Sequence, residues 1–226
     1  MPGILSRLAV TADPATFLAV SVAAVVLAAG KSTRMGRAKA TLPLPDGEGG
    51  GTFLSRILGT IRAAGIHDMV VVAGHDPERI IEAVAPEPDA QVVVNAEYES
   101  GQLSSVLTGL RAIDREPVEA MLLTLVDVPL VSVATIRAVL ARYEDTRAPL
   151  VRAVNGDRHG HPVLIARALF AELAAADETL GIKPVVRRHA SAAGDVHVDD
   201  EGAFLDIDTP EEYERFLGRA PNRSRP

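Results

Sequence analysis

Residues 30–39 read Gly-Lys-Ser-Thr-Arg-Met-Gly-Arg-Ala-Lys, so Lys31, Arg34, Arg37 and Lys39 fall within one short segment. Just before it, Val25-Val26-Leu27-Ala28-Ala29 is an apolar run that narrows to small residues. A strand end, a turn of free backbone N–H groups and a set of cations make an anion site, and this many cations suits a polyphosphate. Two acidic positions complement it. Asp127 follows the apolar run 121–126, and Asp208 lies in Asp206-Ile207-Asp208-Thr209-Pro210. A carboxylate at the end of a buried strand stands where open α/β sheets bind ligands. Two carboxylates with phosphate oxygens and water form the hard oxygen set that Mg2+ prefers. Each acid also has a structural alternative: Asp127 can cap the helix after Pro129, and Asp208 or Thr209 can cap the last helix.

Other phosphate and metal devices fit poorly. Gly30-Lys31-Ser32 is like the end of a Walker A loop, and residues 121–127 are like a Walker B strand. A P-loop needs a glycine five residues before its final glycine, however, and that position is Val25, inside the strand. Gly30 and Gly36 lack the spacing of a dinucleotide fingerprint. His159, His189 and His197 have no recognisable ligand spacing, so a histidine metal site is not expected. His75, after Gly74, reads as a loop residue.

The elements that must position these residues alternate. Apolar runs predict strands over 23–28, 69–73, 92–94, 121–126 and 150–154. Helical spacing predicts helices over 53–64, 77–84, 103–113, 133–143 and 166–174, with Asp76 as an N-cap and Gly65 closing the first. Residues 155–162 read as a long polar turn, 185–189 and 196–198 as short strands, and 211–217 as a last helix with Pro210 at its first position. Residues 46–51, Asp-Gly-Glu-Gly-Gly-Gly, read as a flexible loop. Alternation of this kind predicts a three-layer α/β/α domain on a mostly parallel sheet, with a small substrate-side lobe after Pro149. Residues 1–21 are read as an N-terminal extension, 22–217 as one domain and 218–226 as a frayed tail.

Composition agrees. Of 226 residues, 47% are hydrophobic but only 4% aromatic, so the core must be built from Val, Leu, Ile and Ala, the palette of a covered parallel sheet. The net charge of −7 argues against nucleic acid as a partner of the general surface. Any polyanion must meet a local basic pocket. The apolar stretch 17–30 is too short to span a membrane, and cleavage near Ala28-Ala29 would cut the anion turn. No cysteine is present, which suits a cytoplasmic protein.

Residues 27–39, Leu-Ala-Ala-Gly-Lys-Ser-Thr-Arg-Met-Gly-Arg-Ala-Lys, resemble the L-A-A-G-x-S-x-R-M-G-x-x-K signature of the nucleotidyltransferase superfamily. Asn95 with Gly101, Ser104 and Ser105 resembles its N-x-x-[WY]-x-x-G-x-x-S-S segment, and Asp127-Val128-Pro129 its D-x-P. Gly160-His161-Pro162 and residues 206–210 are similar to elements of one branch, the MobA-like and molybdenum cofactor cytidylyltransferases. The resemblance implies a Rossmann-like nucleotidyltransferase fold and attack on the α-phosphorus of an NTP, with pyrophosphate leaving. Leu27, Ala28, Ala29, Gly30, Lys31 and Ser32 would cradle the nucleotide, with Asn95, Gly101, Ser104 and Ser105 near the base. Arg34 and Lys39 would hold the phosphates, and Asp127 and Asp208 (Asp206 as its rival) would hold Mg2+. Ala29 favours CTP, because L-A-G-G tends to accompany guanosine nucleotides. Gly160, His161, Pro162 and Lys183 would face a phosphate-bearing acceptor, molybdopterin in this branch. Residues 178–184 depart from the branch: the usual Asp is missing and Lys183 stands where Arg is common. Rival readings are a sugar-phosphate nucleotidyltransferase and a non-catalytic protein that hands cofactor to a molybdenum hydroxylase.

Overall fold

The computed structural model describes residues 20–45 and 50–219. The N-terminal extension, most of the glycine loop and the chain beyond Arg219 lie outside the described residues. Seven strands form one sheet in the order β3-β2-β1-β4-β6-β5-β7. They are β1 Val22–Ala28, β2 Met69–Ala73, β3 Ala90–Val94, β4 Ala120–Leu125, β5 Leu150–Asn155, β6 Arg158–Ala166 and β7 Asp195–His197. Strands β1 to β4 are mutually parallel, β6 is antiparallel to β4 and β5, and β7 is parallel to β5. The chain after Pro149 adds the β6-β5-β7 edge of the same sheet.

Every residue of β1 is buried, because helices cover both faces. On one face α1 (Phe53–Ala63), α2 (Pro77–Val84) and α4 (Val133–Thr146) pack Leu54, Leu58, Ile80 and Leu140 onto Ala24, Val26 and Val71. On the other, α3 (Gln102–Ile113), α5 (Phe170–Ala174) and α6 (Lys183–His189) pack Val106, Leu110, Leu173 and Val185 against Val25, Val72 and Met121. Alternate β1 residues therefore serve opposite layers, which is why the strand reads as a continuous apolar run. The last helix, α7 (Pro210–Arg219), runs two residues beyond its expected end.

Four expectations are corrected. Residues 185–189 belong to α6, not a strand: Lys183-Pro184 opens a helix, and Ile182, Val185 and Val186 then share its inner side. The polar turn shrinks to two residues, and Gly160, His161 and Pro162 lie on β6. Its polar composition masked an antiparallel strand with one face outward. Helix 166–174 is split: Ala166 ends β6, a single 3-10 turn follows, and α5 begins at Phe170. Asp76 precedes α2 but adopts a left-handed backbone, makes no side-chain cap and instead pairs with Arg79 at 2.8 Å.

Helix α3 lies unusually close to the sheet. A methyl group on Gly109 would come within 2.4 Å of Val25 Cγ1 and 3.0 Å of Val72 Cγ2. Gly109→Ala should therefore destabilise the fold by about 1–3 kcal/mol through overpacking. Chemical denaturation would show it as a lower midpoint at unchanged slope.

Candidate active site

The segment after β1 is folded on itself. Gly36 N–H donates to Ser32 O at 2.9 Å, and Lys39 N–H to Ser32 Oγ at 3.3 Å. Ser32 (φ 50°) and Gly36 (φ 72°) both occupy the left-handed region, which costs a non-glycine residue such as Ser32 about 1–2 kcal/mol. The turn so formed ends in the 3-10 turn Lys39–Thr41.

A small second core anchors this turn. Met35, Leu42, Leu44, Phe53, Ile207, Tyr213 and Phe216 pack together, and Tyr213 Oη donates to Pro43 O at 2.6 Å. Through Ile207 and Tyr213 this core carries the late acidic loop up to the turn. Ile207 N–H donates to Asp127 O at 2.8 Å, tying the two acidic loops together through the backbone.

The capping alternatives resolve on geometry. Helix α4 is capped by Ser132, whose hydroxyl accepts from Thr135 N–H at 3.1 Å. Helix α7 is capped by Thr209, whose hydroxyl accepts from Glu212 N–H, while the Glu212 carboxylate accepts from the N–H groups of Asp208 and Thr209. Neither Asp127 nor Asp208 spends its side chain on a helix end.

Both carboxylates turn instead to the cations. Lys39 Nζ donates to Asp127 Oδ2 at 3.2 Å and to Asp208 Oδ1, and Arg34 lies 2.8 Å from Asp208 Oδ2. The Lys39 side chain is only 10% exposed, a burial that a lysine sustains only when paired. Burial pushes the Asp208 carboxyl up, but the Lys39 hydrogen bond and charge, with Arg34, hold it below the usual carboxylate range. Among the described residues Asp206 makes no ion pair, and desolvation with the charges of Asp127 and Asp208 pushes it up against the Lys39 charge.

These groups line a cleft of about 330 Å³ at the C-terminal ends of β1 and β4, with Leu27, Ala29, Gly30, Ser32, Gly101 and Ser105 on its walls. Thr33, Tyr98, Gln102, Leu125 and Val126 line it too and were not singled out from the sequence. Tyr98 fills the aromatic position of the segment that begins at Asn95, and Gln102 directly follows Gly101, so that segment held the signal. Asn95 and Ser104 serve the cleft indirectly. Asn95 Nδ2 donates to both serine hydroxyls, at 2.8 and 3.0 Å, and Ser104 Oγ donates to backbone carbonyls of the same loop. This network shapes the wall.

Lys31 pairs with Glu99 and lies over the Tyr98 ring, and Ala28 lines a neighbouring cavity behind the turn. Gly160 is a packing position, since a methyl group there would come within 2.4 Å of Ala203 O. Pro162 is buried toward an apolar void beside Ile57 and Val128. His161 Nδ1 is buried without a hydrogen-bond partner. Burial pushes its imidazole below the usual histidine range, against the opposing Asp127 charge and a backbone hydrogen bond at Leu123. Lys183 is an exposed residue at the start of α6 and is not part of the cleft wall.

The donor set fits a hard cation. Among the described residues Asp127 Oδ1 is buried with no partner, and its carboxylate converges with that of Asp208 beside the cation-rich turn. Among the described residues no group of three or more His, Asp or Glu side chains could hold a metal unaided. A cation here would complete its shell with phosphate oxygens and water.

A parallel β3-β2-β1-β4 core thus carries a cation-rich turn after β1 and acids beyond β4. Residues 24–193 match the MobA-like NTP transferase domain, and the chain belongs to that family. It is 25% identical to the molybdenum cofactor cytidylyltransferase of Escherichia coli over 193 residues, covering 84% of this chain and 92% of that protein. It is 31% identical to a probable molybdenum cofactor guanylyltransferase of Mycobacterium avium, covering 62% of this chain and 66% of the relative. Among solved structures, Rv0371c of Mycobacterium tuberculosis aligns at a TM-score of 0.73 and 30% identity over 88% of this chain and 99% of its own. A further Rv0371c structure is a complex with manganese.

Proposed function

We propose that this nucleotidyltransferase joins CMP, taken from CTP, to the terminal phosphate of molybdopterin in the cytoplasm and releases pyrophosphate. An oxygen of the acceptor phosphate attacks the α-phosphorus. The bond to the bridging oxygen breaks, and pyrophosphate carries away the electron pair. The attacking phosphate is already an anion, so the step needs no general base. That accords with a cleft that offers cations and backbone donors instead of a poised histidine. The task left to the protein is positioning and charge neutralisation. N–H groups of residues 30–32 cradle the triphosphate, Arg34 holds its outer phosphates, and Lys39 reaches the α-phosphate, where charge accumulates. Asp127 and Asp208 would hold Mg2+, whose contribution when bound is to neutralise phosphate oxygens.

The observation that carries this reading is the meeting of Arg34, Lys39, Asp127 and Asp208 at one end of a nucleotide-sized cleft. CTP is supported by the resemblance of Leu27-Ala28-Ala29-Gly30 to the L-A-A-G form that tends to accompany pyrimidine nucleotides, and Ala29 lines the cleft. Molybdopterin is supported by the E. coli relative, matched over most of both chains. The test is pyrophosphate release from each NTP with Mg2+ and molybdopterin. CTP should be the most active. No release with any NTP would overturn the reading, and release only with a sugar phosphate would reassign the acceptor.

A further inference from the structure

We infer that Lys39 stands in for the metal in the unliganded protein, so that a metal enters only as the Lys39 ammonium passes from the carboxylates to phosphate. The inference rests on Asp127 and Asp208 being the metal-binding pair. Each cation assigned to phosphate is paired with a carboxylate assigned to metal: Lys39 with Asp127 and Asp208, and Arg34 with Asp208. Lys39, Asp127 and Asp208 are 10%, 24% and 23% exposed, so these charges are largely removed from water and lean on one another.

Lys39 Nζ already stands between the two carboxylates that would hold a divalent ion, and two like charges cannot share that position. If the ammonium leaves first, it needs another anion. The triphosphate is that anion. A triphosphate arriving alone fares no better, because drawing Lys39 and Arg34 away leaves two partly buried carboxylates uncompensated. The metal–nucleotide complex satisfies both halves at once, with carboxylates to metal and cations to phosphate. The chain is built for that exchange. The Lys39 backbone is pinned by Ser32 Oγ and the 3-10 turn, while its flexible stem lines the cleft and carries the ammonium from carboxylate to phosphate.

Binding of Mn2+ followed by electron paramagnetic resonance tests this without turnover, with α,β-methylene-CTP as the nucleotide. Wild-type protein should bind Mn2+ weakly alone and tightly with the analogue, and Mn2+ should tighten the analogue by the same factor. Lys39→Met should bind Mn2+ without nucleotide about 10-fold more tightly than wild type. Equal or weaker binding by Lys39→Met overturns the inference. If Lys39→Met does not fold, Lys39→Gln keeps a donor without the charge. It should show the same tightening, and its absence would overturn the inference equally. Asp127→Ala in either background separates the two levels. Loss of Mn2+ there upholds the metal pair whatever Lys39 does, whereas unchanged Mn2+ binding overturns both.

Discussion

Asp127→Ala should lower pyrophosphate release by about 10³-fold while leaving the fold intact, a loss in the range set by removing one strong electrostatic contact from a transition state. The carboxylate is one of two that face the cation-rich turn, and among the described residues its Oδ1 is buried with no partner. A buried acceptor left open in this way costs free energy unless a ligand completes it. Structural damage should be small. The bond that ties the acidic loops comes from the Asp127 backbone carbonyl, which alanine keeps. Ser132 still caps α4, and Lys39 still has Asp208. Asp127→Asn is the isosteric control, keeping shape but not charge, and it should be nearly as inactive. Turnover within tenfold of wild type in Asp127→Ala, with an unchanged thermal midpoint, would remove the metal assignment.

The parts legible in the sequence were those with local causes. Strands β1, β2 and β4 are buried on both faces and write themselves as apolar runs. Helices α1, α3 and α4 show their inner stripe every three or four residues. Strand β6 was not legible, because Arg158, His159 and His161 give a half-exposed strand the composition of a turn. Helix α6 was misread because a short apolar pair, Val185-Val186, fits either period, and only Pro184 at its start argued for a helix.

The site divides the same way. The turn 30–39 is contiguous, so its charge pattern could be seen directly. Lys39 is separated by 88 residues from Asp127 and by 169 from Asp208, and no local spacing records that these three meet. What brings them together is the packing of Met35, Phe53, Ile207 and Tyr213 and one backbone bond from Ile207 to Asp127. Both are ordinary apolar or main-chain features with no signature of chemistry. Asn95 shows the converse. A polar residue in a functional-looking motif turned out to be buried and committed to two serine hydroxyls, holding the cleft wall from behind.

Lys39→Ala should reduce kcat by about 10²–10³-fold yet change nucleotide affinity by less than about tenfold. The reason lies in what Lys39 gives up. In the free protein its ammonium already has two carboxylate partners, so contact with a ground-state phosphate replaces one set of ion pairs with another and yields little net binding. At the transition state the α-phosphate and the departing pyrophosphate carry more negative charge, while the carboxylates carry no more than before. The balance then tips toward phosphate, and a contact that strengthens only at that point raises kcat, not affinity. Arg34 should behave differently. Its side chain is 68% exposed and among the described residues pairs with Asp208 alone, so it has less to lose on binding, and Arg34→Ala should weaken nucleotide affinity by a larger factor than Lys39→Ala does. Single-turnover kinetics at saturating nucleotide, set beside calorimetric titration of the same variants, separates the two effects. A Lys39→Ala protein that needs far more CTP but then turns over at the wild-type rate would show that Lys39 acts as a ground-state phosphate clamp, and the transition-state role would be lost.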